Sequence, residues 1–230
     1  MPGSNPNSSG GDWDAVAAAV RVLGEGGIVV YPTETLYALG ADVGNPAALQ
    51  RLVGLKVRQA GKPIAVLVSD GEMVRGLVTD IPPQAEALMH EFWPGPLTLV
   101  LRARTDVSPV LTGESAGIGV RLSSHPLATA LVRALGRAIT APSANPAGMS
   151  PPTLLAQAKA YFNDRVDYYL DGGHLRGEPA STVVDVRDGW HVVRAGAVAV
   201  SEISAALSNR QSDPHPQPRN PGGSSADGSV

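Results

Sequence analysis

The sequence has no cysteine. Disulfides and thiolate metal sites are therefore excluded, and the composition fits a reducing compartment. Aromatic residues make up only 4%, which leaves valine, leucine, isoleucine and alanine to build the core. Lysine is scarce as well: of 18 basic residues only Lys56, Lys62 and Lys159 are lysines. No apolar run approaches the ~18 residues of a membrane helix. The opening "MPGSNPNSSGGD" lacks the basic start and apolar stretch of a signal peptide, so the chain reads as cytoplasmic, with no membrane partner. The phosphate loop G-x-x-x-x-G-K-[ST], the dinucleotide fingerprint G-x-G-x-x-G and the zinc motif H-E-x-x-H are all missing. The formal net charge of -3 argues against bulk nucleic-acid binding, which usually rests on a basic surplus.

What remains is an ordinary globular balance, 43% hydrophobic and 17% charged over 230 residues. A chain of that size buries roughly 70% of its unfolded surface. Residues 1–11 and 208–230 are rich in Gly, Pro, Ser and Asn, cannot offset their ordering entropy, and are expected to be unstructured tails around a folded body at 12–207. The body alternates helix and strand signals. "DWDAVAAAVRVL" spaces Trp13, Val16, Val20 and Leu23 as a helix. Strands follow at "IVVYP", "PIAVLVS", "LTLVLRA", "GIGVRL" and "RAIT", separated by helical "PPQAEALMHEFW" and "HPLATALVRALG". Asn45 followed by Pro46 is a cap and first-turn proline, with Leu49, Leu52 and Val53 on one face of the helix behind it. Late strands at "DYYLDGG", "STVVDV" and "WHVVRAG" have no helices between them and should include antiparallel pairs. The fold class is α/β with a mixed sheet.

Four segments place polar groups at the ends of apolar strands, where chemistry gathers in open α/β sheets. "YPTETLYALG" puts Thr33, Glu34 and Thr35 directly after a buried strand; a turn with hydroxyls satisfying local backbone is the plain alternative. "LKVRQAGKP" gathers Lys56, Arg58 and Lys62. Lys56 falls seven residues after Leu49, near the apolar face at a helix C-terminus, where a cation is favourable by ~0.3–1 kcal/mol. That accounts for one charge, not three; clustered cations repel unless an anion joins them, and phosphate suits both Arg and Lys. "TAPSANPAGMSPP" carries Ser143 and Asn145 on a loop of small residues that lets backbone approach a ligand. Arg121, Arg194 and the pair Ser181 and Thr182 complete the set, and suggest a cavity for several negative charges. "GESAG" matches the nucleophile-elbow pattern around Ser115, but a strand follows the serine where an elbow needs a helix.

"GGIVVYPTETLYALG", "KVRQAGKP", "FWPGPLTLVL", "VRLSSHP", "APSAN", "STVVDV" and "VVRAG" occur in the order and spacing of the YrdC-like threonylcarbamoyl-AMP synthases, which the chain resembles over about residues 13–207, in its short form. The resemblance implies a twisted mixed parallel and antiparallel sheet flanked by helices, with a deep cationic cleft. It implies synthesis of L-threonylcarbamoyladenylate and pyrophosphate from L-threonine, bicarbonate (or CO2) and ATP with Mg2+. The product would be handed to a tRNA threonylcarbamoyl-transferase complex that modifies tRNA beside the anticodon. Carried over residue by residue, Lys56, Arg58, Lys62, Ser143, Asn145 and Arg194 would face the nucleotide phosphates, with Lys56, Arg58, Ser143 and Asn145 in the catalytic set. Gly117 and Ala141 would give close backbone contacts to ATP. Arg121, Thr35, Ser181 and, as an additional candidate, Thr33 would form the L-threonine pocket. No protein ligand to a metal is implied. Two positions depart from the family pattern: Leu67 stands where some members have a histidine lining the threonine site, and the serine after the S-x-N loop corresponds to either Ser150 or Pro151. A non-catalytic module binding double-stranded RNA or tRNA is the alternative; direct contact with tRNA is left open by the sequence.

Overall fold

The computed structural model describes residues 9–56, 63–177 and 179–211. Arg58 and Lys62 lie outside the described residues. The elements run α1 (Ser9–Gly24), β1 (Val29–Pro32), β2 (Tyr37–Gly40), α2 (Pro46–Lys56), β3 (Val66–Leu67), α3 (Gly71–Arg75), α4 (Pro83–Phe92), β4 (Leu97–Arg102), α5 (Pro109–Thr112), β5 (Gly117–Arg121), α6 (Pro126–Leu135), β6 (Ile139–Thr140), α7 (Leu155–Phe162), β7 (Tyr168–Tyr169), β8 (Thr182–Asp185), β9 (His191–Arg194) and α8 (Val200–Gln211). Helix α1 starts inside the stretch expected to be a tail, and α8 continues past residue 207. Among the described residues no helix is long and apolar enough to cross a membrane.

The strands form two sheets rather than the single mixed sheet expected: a three-stranded one in the order β2-β1-β7 and a six-stranded one in the order β6-β3-β5-β4-β8-β9. Both mix parallel and antiparallel pairs. Strand β2 was hidden in the sequence because "YALG" follows directly on a turn; it pairs back on β1 with Val29 opposite Gly40 and Pro32 opposite Tyr37. Strand β7 then pairs parallel to β1, which takes it out of the sheet of β8 and β9.

Alternation along the strands decides which face is core and which is cleft. Ile118 and Val120 of β5, Leu97, Leu99 and Leu101 of β4 and Val184 of β8 all enter the larger apolar cluster, beside Leu49 and Leu52 of α2 and Leu88 of α4. The intervening residues Gly119, Arg121, Thr98, Val100 and Val183 face a cavity. A second cluster packs α1 on α6 through Val16, Ala19, Leu23, Leu131 and Leu135, over Val29 and Tyr31 of β1. Trp13, one helical turn before Val16, is 64% exposed, so the packed face of α1 begins at Val16.

Close backbone approach makes one glycine structural. A Cβ on Gly196 would lie 2.2 Å from the carbonyl oxygen of Ala180 and 2.6 Å from the amide nitrogen of Thr182, with no flexible side chain to yield. Gly196→Ala is expected to destabilise the fold by ~1–3 kcal/mol through overpacking, read as a lower urea midpoint in equilibrium unfolding. Gly24→Ala, with nothing within 4 Å of the new methyl at a helix end, should leave the midpoint unchanged or raise it.

Candidate active site

The topology carries distant polar residues to one edge. Strands β5 and β9 end, and β4 and β8 begin, on the same side of the six-stranded sheet, because β4 runs antiparallel to β5, parallel to β8, and β8 antiparallel to β9. Arg121 at the end of β5, Arg194 at the end of β9, Thr98 in β4 and Ser181 just before β8 therefore converge. Helix α2 delivers Lys56 in its last turn. The cavity they share measures ≈ 820 Å³ and takes in Thr33, Thr35, Lys56, Arg121, Ser143 and Arg194 in its lining. Ala141, Ser181 and Pro151 line it too.

The opposite wall is stitched to the three-stranded sheet. Leu39 N–H donates to the carbonyl of Pro142 at 2.8 Å, Ala144 N–H to that of Tyr37 at 2.8 Å, and Tyr37 N–H to that of Pro152 at 3.0 Å. Thr140 ties the same crossing from inside, its hydroxyl donating to Leu39 O at 2.8 Å and accepting from Ala41 N–H at 2.9 Å. The loop 141–152 is thereby held as a rim. Ala141 N–H is taken by the carbonyl of Ala65 at 2.7 Å, so only its other atoms face a ligand. Lys56 Nζ donates to the carbonyl of Ser143, and Ala147 N–H to that of Lys56 at 3.2 Å. The cation is anchored at the rim while its residue is buried.

Charge in the cleft is one-sided: its lining has three cations and, among the described residues, no carboxylate. Arg194 donates through Nη2 to the carbonyl of Ser181 at 2.8 Å and to its hydroxyl at 3.2 Å. Burial, and then the like charge of Arg121, push the Arg194 guanidinium below its ordinary value. Both effects disfavour the charge, and both would be relieved by a bound anion. Ser181 Oγ lies 3.0 Å from Thr98 Oγ1, and Thr33 and Thr35 hydroxyls lie 3.1 Å apart, so two hydroxyl pairs flank the cations.

Several residues singled out in the sequence stand elsewhere. Asn145 is buried but does not line the cleft; its Nδ2 donates to the carbonyls of Pro146 at 3.0 Å and Met149 at 2.6 Å, bracing the rim, while Oδ1 is buried with no hydrogen-bond partner. Gly117 sits one pleat beyond the cleft, where a Cβ would meet Arg187 Nη1 at 2.8 Å and Val100 Cγ1 at 2.9 Å; Gly119 of the same strand lines the floor instead. Leu67 shares a face with Ala65 but packs among Tyr31, Ala38 and Ile139 in the second core. Of the pair Ser150 and Pro151, the proline lines the cleft, and the carbonyl of Ser150 accepts from Tyr161 Oη at 3.1 Å. Ser115 lies in a short 3-10 turn before β5, its hydroxyl donating to the carbonyl of Thr112 at 3.0 Å, not on a strand-to-helix elbow.

Sequence reasoning passed over Thr98, Tyr37 and Gly119. Thr98 carried a usable signal, a lone hydroxyl in the apolar run "LTLVL". Tyr37 lines the cleft and holds the 171–173 loop, donating to the carbonyl of Gly173 at 2.8 Å and accepting from Gly172 N–H at 3.0 Å; burial pushes its phenol up to about 12.

The chain is similar to known proteins. Residues 21–196 match the family model Sua5/YciO/YrdC, described as "Telomere recombination". The chain is 35% identical over 198 residues to the threonylcarbamoyl-AMP synthase of Pyrococcus abyssi, covering 85% of this chain and 58% of that protein. It is 36% identical over 174 residues to the threonylcarbamoyl-AMP synthase of Nitrosococcus oceani, covering 76% and 92%. The structure of P. abyssi Sua5 complexed with L-threonine superposes with a TM-score of 0.81 at 35% identity, over 85% of this chain and 58% of that one. The chain thus spans little more than half the length of the P. abyssi protein and nearly all of the N. oceani one. It belongs to the Sua5/YciO/YrdC family.

Proposed function

We propose that the chain is an L-threonylcarbamoyladenylate synthase, making the mixed anhydride and pyrophosphate from L-threonine, bicarbonate and ATP. The observation that carries this reading is the convergence of Lys56, Arg121 and Arg194 with hydroxyls and, among the described residues, no carboxylate in one cleft. The names of the relatives and the L-threonine complex of P. abyssi Sua5 support the choice of substrates.

The chemistry matches the electrostatics. The threonine amine and bicarbonate condense to a carbamate with loss of water. A carbamate oxygen attacks the α-phosphorus of ATP, and pyrophosphate leaves. An anion must approach a polyanion; fixed cations reduce that repulsion and stabilise charge growing on the phosphate and leaving group. In this reading Lys56 and Arg194, with Arg58 and Lys62 carried over from the family pattern, face the phosphates, and Ser143 adds a hydroxyl. Arg121 takes the amino-acid carboxylate through a charge-assisted contact of its guanidinium, between the Thr33 and Thr35 hydroxyls and Ser181. Asn145 acts through the rim loop that it braces. Mg2+ arrives as part of the nucleotide substrate, because the cleft supplies hydroxyl and carbonyl oxygens and, among its described residues, no carboxylate to hold a resident ion. Holding both reactants together contributes proximity, which a short-lived carbamate needs. The labile product is best passed directly to the transferase that acts on tRNA, a cytoplasmic hand-off.

Purified protein with ATP, Mg2+ and bicarbonate is expected to release pyrophosphate only when L-threonine is added; release that ignores threonine overturns the reading. RNA binding that weakens steeply with salt, without turnover, would favour the non-catalytic alternative. Lys56→Ala and Arg194→Ala should each lower the threonine-dependent rate at least ~10²-fold, whereas Ser115→Ala should leave it essentially unchanged. L-Serine should be used less well by roughly 10–200-fold in kcat/KM, the discrimination available from one methyl group.

A further inference from the structure

Glu34 occupies a wall between two cavities. On one side is the cleft described above. On the other is a second cavity of ≈ 610 Å³, whose lining includes Glu34, Ser124, His125 and Arg176 and shares Thr33 and Thr35 with the first. The turn that carries Glu34 is fixed by Thr33, whose hydroxyl donates to the carbonyl of Leu36 at 2.7 Å and accepts from the N–H groups of Thr35 at 3.3 Å and Leu36 at 3.2 Å. Thr33 and Thr35 line both cavities, while Glu34 between them lines only the second.

Both carboxylate oxygens have assigned neighbours. Oε2 accepts from the hydroxyl of Ser123, a buried residue that is itself tied down by accepting from His125 N–H at 3.1 Å. Oε1 lies 2.8 Å from Arg121 Nη2 as an ion pair, with geometry outside that of a hydrogen bond. Burial alone would raise this carboxyl, but Arg121 and Ser123 outweigh it and hold it below the usual range, so the pair is ionic at neutral pH.

Seen from Arg121, the grip is edge-specific. Nε donates to the carbonyl of Gly95 at 3.3 Å, and Nη2 meets Glu34 and the Thr35 hydroxyl at 3.4 Å. Among the described residues Nη1 has no partner. Arg194 stands nearby as a like charge.

We propose that Glu34 is a positioning residue: it clamps Arg121 from behind through Nη2, so that the Nη1 end is presented to the substrate carboxylate. The substrate half of this statement rests on the function proposed above; the clamp itself does not. Glu34→Gln keeps the shape and removes the charge, and Glu34→Asp keeps the charge. In 15N spectra of the full chain, with the Arg121 Nε–H signal assigned through Arg121→Lys, the wild-type signal should exchange slowly with water. Exchange should accelerate in E34Q and be partly restored in E34D. Calorimetry should show L-threonine binding weakened about tenfold in E34Q, the loss of roughly one charge-assisted contact's geometry, with affinity for a non-hydrolysable ATP analogue unchanged. Equal protection of Arg121 in E34Q, unchanged threonine affinity, or parallel loss of threonine and nucleotide affinity overturns the proposal. A wild-type protein that does not bind L-threonine sinks the amino-acid reading, and the exchange measurement alone then decides the clamp. Should E34Q fail to fold, E34D carries the same comparison through its shorter reach.

Discussion

The gathering of Arg121, Arg194 and Lys56 in one cleft is the constraint around which the rest of the structure is arranged. Like charges partly removed from water raise one another's free energy, and their attraction for a common anion grows by the same factor as the local dielectric falls. The fold supports this arrangement with rigidity. Lys56 is tied to the rim through the carbonyl of Ser143, Arg194 to the carbonyl of Ser181, and Arg121 to Glu34 and the carbonyl of Gly95. Each tether uses an oxygen of the protein to hold a cation in place, so little reorganisation is needed when an anion arrives.

That rigidity traces to the way two sheets meet. The segment 141–144 leaves β6, bonds β2 on one side and Ala65 on the other, and thereby fixes the distance between the hydroxyl wall of Thr33 and Thr35 and the cationic edge of the larger sheet. Gly119 keeps the floor low, since even a methyl group there would press on Ala65 and Thr98 at 3.3 Å. Gly196 brings the chain after β9 onto residues 180–182, which keeps Ser181 within reach of Arg194. The cavity is a product of backbone approach as much as of side chains.

Much of this was legible in the sequence, for identifiable reasons. The helix period placed Lys56 near the buried face of α2, and apolar strands ending in Arg121 and Arg194, or beginning after Ser181, marked the edge where they meet. The mixed α/β class followed from alternating helix and strand patterns. The division into two sheets was not legible, because it depends on which strand β7 chooses, and two paired residues carry no such instruction. Strand β2 was hidden by its turn-like flank. Gly117 and Gly119 have the same parity on one strand, so pattern cannot say which lies under the cleft; only the depth of the cavity does. Asn145 reads as a ligand from its neighbours in "APSAN", yet its amide faces the carbonyls of the rim, a contact set by a turn that periodicity does not describe.

Glu34 shows why a carboxylate belongs beside a site built to bind anions. Set in the cleft, it would compete with the substrate for the same cations. Set one residue out of phase with Thr33 and Thr35, it reaches only the rear of Arg121. A single pair of this kind, with side chains 9% and 16% exposed, would be poor evidence for stability, since desolvation consumes most of the Coulombic gain. Its value lies in direction: a guanidinium held at one edge has one orientation left to offer. The turn between β1 and β2 thus separates two functions within three consecutive residues, hydroxyls lining the cleft and a charge paired to Arg121.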